Sequence, residues 1–212
     1  MLTASRPRIL IADDHAVIAD AFARLLGKEF DVVATVNDGR SLISATQRLR
    51  PDVILVDIGM PLLNGLEAAL QIKRVLPQVK VIYITINHDE DLIAEAFRRG
   101  ASGYLSKTAT AAELVDAIHA ALNGDVYMSP LVRSASNSVA SIGALNGSKL
   151  TPRQIEVLQL LAEGKSMKEV ASVLSLTTRT VAFHKYRIME HLRLGNDAEL
   201  VQYAMRHHVV FT

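Results

Sequence analysis

Five short apolar runs alternating with five amphipathic stretches predict a doubly wound α/β domain over residues 7–127. It has a five-stranded parallel sheet with helices on both faces. A Ser- and Asn-rich stretch at 128–148 separates it from residues 149–212. There, closely spaced helix starts and stops predict a small all-α domain of four helices built on a helix-turn-helix. The charge changes sign with the texture. Met1–Tyr127 carries 13 Lys+Arg against 16 Asp+Glu, net −3, and Met128–Thr212 carries 10 against 6, net +4. An acidic front joined to a basic back points the back at an anionic partner.

The 212 residues are 50% hydrophobic and 21% charged, too apolar for disorder and long enough to bury a core. Mean hydropathy is only +0.21, and no run of apolar residues approaches a membrane span, so no membrane partner is expected. The first residues, Met1 to Arg6, contain no apolar core of a signal peptide, so secretion is not expected and a cytoplasmic chain is. Cysteine is absent, which excludes disulfides, thiolate zinc sites and thiol nucleophiles.

In chain order, the predicted strands are Arg8–Ala12, Phe30–Val36, Val53–Val56, Lys80–Thr85 and Gly103–Ser106, all rich in β-branched residues. The intervening helices are Val17–Lys28, Gly39–Arg50, Asn64–Val75, Glu90–Arg99 and Thr110–Asn123. The last of these sets Leu114, Ile118, Ala121 and Leu122 on one stripe. Right-handed crossovers make such a β-α alternation a parallel sheet. Residues 128–148 read as a flexible linker with Arg133 its single charge; Val139, Ile142 and Leu145 leave open a short docked helix. Thr151-Pro152-Arg153-Gln154 starts a helix by N-cap, N1 proline and N3 glutamine, and Gly164 stops it. Helices over Met167–Leu174 and Thr178–Leu192 follow, the second ended by Gly195, and Asp197 caps a fourth reaching about His207.

Ligands of doubly wound sheets bind beyond the carboxyl ends of the strands. Asp13, Asp14, Asp57, Thr85 and Lys107 stand at four such ends, and with strands about 4.8 Å apart they can converge. Clustered carboxylates offer a hard oxygen cage suited to Mg²⁺, which retains waters and favours a phosphate. A strand-end Asp can attack phosphorus and become an aspartyl-phosphate, whose charge metal, ammonium and hydroxyl would neutralise. The plainer reading is that single Asp residues, such as Asp14, cap helices.

Residues 7–127 resemble the receiver domain of bacterial two-component response regulators, which is flavodoxin-like. The likeness rests on Ile9-Leu10-Ile11-Ala12-Asp13-Asp14-His15, on Asp57 through Gly65, on Thr85, and on Gly103-Tyr104-Leu105-Ser106-Lys107. The resemblance implies that Asp57 is the phosphoacceptor and that Asp13, Asp14, Asp57 and the Gly59 carbonyl hold Mg²⁺, Asp13 largely through water. It further implies that Thr85 and Lys107 bind the phosphoryl group and that Tyr104 is the aromatic switch; an ordinary half-buried tyrosine is the alternative. Two positions depart from the pattern: Ile86 stands where a small residue is frequent, and Thr108 stands where a cis proline is common.

Leu150–Val210 resembles the LuxR-type helix-turn-helix through Leu150-Thr151-Pro152-Arg153-Gln154, Gly164-Lys165-Ser166, Lys168-Glu169-Val170-Ala171, Thr180-Val181, His184, Ile188-Met189 and Leu192. Together the two domains resemble a NarL/LuxR-type response regulator. That implies a transcription regulator with a sensor histidine kinase as partner and a homodimer on double-stranded promoter DNA. A helical wheel drawn from Val181 orients the third helix independently: Ile188 and Leu192 fall within about 20° of it, facing inward. Ala182, Phe183, Tyr186 and Arg187 fall outward, where apolar groups suit a thymine methyl unless a neighbouring helix shields them. Lys165, Lys168, Arg179, Lys185 and Arg187 are the expected phosphate contacts, helped by Thr178 and Thr180 at the helix start. Lysine is frequent in the family where Ala182 stands, so base preference does not carry over. A Mg²⁺-dependent phosphatase with an Asp nucleophile is the rival; it wants an acid two residues after Asp57, where Gly59 stands. The protein is therefore read as no enzyme. A phosphorylation-independent DNA-binding regulator is a further alternative.

Overall fold

β1 (Arg8–Ala12) lies between β2 (Asp31–Val36) and β3 (Val53–Val56), and β4 (Lys80–Thr85), β5 (Gly103–Ser106) and β6 (Tyr127–Met128) extend the parallel sheet beyond β3. This computed structural model describes residues 5–86, 89–135 and 150–210, which form two units. In the first unit α1 (Ala16–Leu26) and α5 (Ala111–Asn123) bury Leu26, Leu114, Ala117 and Ile118 against Ile9, Ile11, Leu55, Ile82 and Leu105. Successive strand residues face opposite ways, so α2 (Gly39–Leu49), α3 (Gly65–Val75) and α4 (Glu90–Arg98) cover the other face. Both faces being covered explains why β3 and β5 are buried at every residue.

The sheet has six strands where the sequence predicts five. Two residues are too few for an alternation to be read, and backbone bonds alone define β6: Tyr127 N–H donates to the Ser102 carbonyl at 3.0 Å and Ser129 N–H to that of Tyr104 at 3.1 Å. α6 (Pro130–Ala135) follows directly. Residues 128–135 of the expected linker are thus ordered, while 136–148, with Val139, Ile142 and Leu145, lie outside the described residues.

The second unit comprises α7 (Pro152–Ala162), α8 (Met167–Leu174), α9 (Thr178–Leu192) and α10 (Asp197–Arg206) around buried Val157, Leu160, Val170, Leu174, Val181, Ile188 and Leu200. Capping boxes start α7 (Thr151 with Gln154) and α8 (Ser166 with Glu169). Arg153 ties them together, donating to the Leu174 carbonyl and pairing with Glu156, each at 2.6 Å. Two boundaries differ from expectation. Arg193, not Gly195, turns left-handed (φ 55°) to end α9, and Leu194 N–H closes onto the Met189 carbonyl at 2.9 Å. Asn196, not Asp197, caps α10, accepting from Glu199 N–H at 3.0 Å.

Candidate functional site

Strand register brings the acids together. Ala12 pairs with Val56, so Asp13 and Asp57, each the next residue, leave adjacent strands side by side. Thr85 pairs with Ser106, which sets Lys107 one residue beyond the same edge. The Lys107 ammonium lies 2.8 Å from Asp57 Oδ2, 3.0 Å from Asp13 Oδ1 and 2.9 Å from Asp13 Oδ2, and all three side chains are buried. Burial pushes the Asp57 carboxyl above its ordinary value, although the hydrogen bond and charge of Lys107 oppose it. Burial alone would lower the Lys107 ammonium, but its hydrogen bonds to Asp57 and Asp13 outweigh that and hold it higher. Asp14 lies outside this trio, partly exposed, 2.8 Å from His15 Nδ1. It does not cap α1, whose N-cap position is His15 and whose first turn no side chain caps.

The loop after β3 is held by close backbone approaches. A Cβ on Gly65 would stand 2.2 Å from the Asp57 carbonyl oxygen, and one on Gly39 only 2.1 Å from that of Leu63. Only glycine permits either approach, so α2 and α3 press against the loop that carries Asp57. Within the loop Leu62 adopts φ 66°, and Gly59 N–H reaches Asp57 Oδ1 at 3.3 Å. Thr85 is buried at the end of β4, whereas Ile86 beside it is exposed. Tyr104 is fully buried, not half-buried; its ring centroid is 6.4 Å from those of Tyr83 and Phe97. Burial, then the charge of Asp89, drives its hydroxyl far above the usual tyrosine range.

Sequence reasoning passed over two groups. His15 turns its imidazole onto Asp13 and Asp14. Glu67 on α3 is buried and meets Arg99 at 3.4 Å, a link between α3 and the end of α4 that no periodicity encodes.

On α9, Phe183 and Tyr186 are 59% and 64% exposed, while Val181 and Ile188 are buried. Ala182 and Arg187 share the exposed face, so among the described residues no neighbouring helix of this unit shields it. Lys168, Thr178 and Arg179 are also exposed, Lys165 and Thr180 partly so. Lys185 is not on that face. Its side chain is 21% exposed and its ammonium is drawn to Asp197 at 2.6 Å, which braces α9 against the start of α10. Arg187 pairs with Glu190 one turn on at 2.7 Å.

Residues 9–119 match the model of the response regulator receiver domain, and residues 148–204 match that of the bacterial regulatory proteins of the luxR family. The chain is a NarL/LuxR-type response regulator. This regulator is 33% identical over 210 residues to the oxygen regulatory protein NreC of Staphylococcus carnosus, spanning 94% of this chain and 97% of that one. The RcsB response regulator of Salmonella typhimurium is 25% identical with a TM-score of 0.60, over 94% of this chain and 98% of that chain. RcsB is also known in complex with DNA, at the same TM-score of 0.60. A LuxR-family two-component regulator from Aurantimonas sp. matches 63% of this chain and 96% of its own at 30% identity and a TM-score of 0.59. The response regulator therefore joins a receiver domain to a DNA-binding helix-turn-helix, in a family of transcription regulators rather than enzymes. Among the described residues no helix is long and apolar enough to cross a membrane.

Proposed function

We propose that a sensor histidine kinase transfers a phosphoryl group to Asp57 and that this switches the binding of double-stranded promoter DNA by α8 and α9. The observation that carries the reading is the junction of Asp57, Asp13 and Lys107 across separate strand ends, with distances of 2.8–3.0 Å. An Asp57 oxygen attacks the phosphorus of the donor's phosphohistidine; the O–P bond forms as the P–N bond breaks, and the imidazole leaves with the electron pair. Lys107, 2.8 Å from Asp57 Oδ2, would pair with the added charge, and the Thr85 hydroxyl would donate to it.

The donor set fits Mg²⁺. Three carboxylates against one ammonium leave two negative charges uncompensated, and one oxygen from each of Asp13, Asp14 and Asp57 lies within 4.8 Å of the others. These residues and the Gly59 carbonyl would hold it, Asp13 largely through water, and the bound ion would neutralise phosphoryl charge. Tyr104 would relay the altered site along β5 by changing its rotamer.

On DNA, Lys165, Lys168, Arg179 and Arg187 take phosphates, with Thr178 and Thr180 donating at the start of α9, while Ala182, Phe183 and Tyr186 meet base edges. The regulator acts as a homodimer in the cytoplasm, with a first domain that runs from about residue 7 through β6 and α6 to about residue 135 and a second at about 149–212, and has no enzymatic turnover of its own. Acetyl phosphate with Mg²⁺ should add one phosphoryl group by intact mass, and Asp57→Asn should add none. Footprinting across a genomic library with and without the donor tests the switch. Equal phosphate uptake by Asp57→Asn would overturn the assignment.

A further inference from the structure

The chemistry of phosphoryl transfer leaves His15 without a task. It occupies the N-cap position of α1, but its side chain caps nothing. Its backbone N–H donates to Asp13 Oδ1 at 2.9 Å, which fixes where the residue starts. Its imidazole then points into the acids rather than away: Nδ1 is 2.8 Å from Asp14 Oδ1 and 3.3 Å from Asp13 Oδ1. One ligand atom from each of Asp13, Asp14, His15 and Asp57 lies within 4.8 Å of all the others. That spacing is close to what ligands adopt around one cation with bonds of about 2.0–2.2 Å.

We propose that His15, through Nδ1, is a further protein ligand of this site, beside the carboxylates and the Gly59 carbonyl, and biases it from Mg²⁺ toward dications that accept imidazole, such as Mn²⁺, Co²⁺, Ni²⁺ and Zn²⁺. The inference rests on the Mg²⁺ site of the proposed function and deepens it. Mg²⁺ is hard and gains nothing from nitrogen, whereas imidazole suits the later first-row metals. With its side chain 64% exposed, the ring can adjust its tilt without disturbing the core. Coordination requires Nδ1 free of its proton, so the neutral ring carries hydrogen on Nε2 and a protonated ring releases one proton to solvent. His15 would thus make metal choice a property of this chain's own first turn.

Mn²⁺ titrated into the full-length protein tests this, with binding followed by EPR and nitrogen coupling read by pulsed EPR. The wild type should show a ¹⁴N coupling that His15→Ala lacks, since alanine keeps the backbone N–H but removes the ring. Co²⁺ affinity should fall about ten-fold or more in His15→Ala while Mg²⁺ affinity stays within about two-fold. Mn²⁺ that binds, is displaced by Mg²⁺ and shows no ¹⁴N coupling would overturn the role of His15 and leave the metal site standing. A coupling retained in His15→Ala would overturn it equally. Mn²⁺ that fails to bind, or that neither competes with Mg²⁺ nor weakens in Asp57→Asn, would bring down the metal site itself and the proposal with it.

Discussion

Ser129 donates its backbone N–H to the carbonyl of Tyr104 at 3.1 Å, so the segment leaving the receiver is bonded to the strand that carries the proposed switch. Without this pairing β5 would be a bare sheet edge, its donors and acceptors open to other chains. The segment is further pinned by Val132, which is fully buried in α6. The Tyr127 and Ser129 amides should therefore exchange as slowly as core strand amides. Val132→Ala should cost about 1.5–3 kcal/mol, from two deleted methyl groups plus the cavity they leave, and speed exchange at Ser129. Amide exchange by NMR checks both; fast exchange at Ser129 in the wild type would sink the idea that the bond persists in solution.

Asp57→Asn should stabilise the receiver at neutral pH. Burial raises the Asp57 pKa, and a raised pKa means that the folded state binds the proton more tightly than the unfolded state. The associated stability is present below the unfolded value and is lost as pH rises through the folded value, so ionised Asp57 counts against the fold at pH 7. Removing that charge should gain about 1 kcal/mol, roughly 3–5 °C in melting temperature for a domain of this size. The gain should shrink as pH falls toward the folded pKa. A variant that melts lower than wild type at pH 7 would mean that Asp57 anchors Lys107 more than burial penalises it.

Arg99→Ala should destabilise more than its own position suggests. It removes the cation from Glu67, whose side chain is only 2% exposed and whose pKa burial already raises against the opposing charge of Arg99. An uncompensated buried carboxylate costs several kcal/mol; with Gln71 still donating at 3.3 Å and the charge of Arg74 still acting, about 1–3 kcal/mol is expected. Because the raised carboxyl favours the protonated fold, acidification should recover part of this loss, and Glu67→Gln in the Arg99→Ala background should recover more. Urea unfolding at two pH values for the four members of the cycle measures it. Additive losses would show that the two residues are not coupled.

The strand-end cluster is readable in the sequence because the apolar runs end at Ala12, Val56, Thr85 and Ser106, and those ends alone set which polar side chains meet. The stripe of Leu114, Ile118 and Ala121 is readable for the same reason, one element holding its whole period. What escapes the sequence depends on neighbours rather than on local pattern. β6 exists only as a partner of β5, and the link from Glu67 to Arg99 joins α3 to the end of α4. Asn196 and Asp197 are both good caps in sequence, and the fold chooses between them. Lys185 is legible as a cation, but charge alone does not show its partner: it falls about 40° from Val181 on the wheel, beside the buried stripe, where its ammonium meets Asp197.

On the proposed function, that position should divide the basic residues of α9 by role. Lys185→Ala should behave as the loss of a partly exposed ion pair, about 0.2–1 kcal/mol of stability, and should leave the salt dependence of DNA binding nearly unchanged. Arg179 stands on the exposed face, and Arg179→Ala should weaken binding about evenly across sequences. It should also flatten the plot of log affinity against log salt by roughly 0.9 for each phosphate that a subunit no longer neutralises. Phe183 and Tyr186 face outward without charge. Phe183→Ala should change which base is preferred, at about 1–3 kcal/mol for the missing apolar readout, with little change in slope. Selection on randomised DNA at two salt concentrations reads motif and slope together for all three variants. If Phe183→Ala selects the wild-type motif while Lys185→Ala rewrites it, α9 meets DNA by a face other than the one its exposed aromatics define.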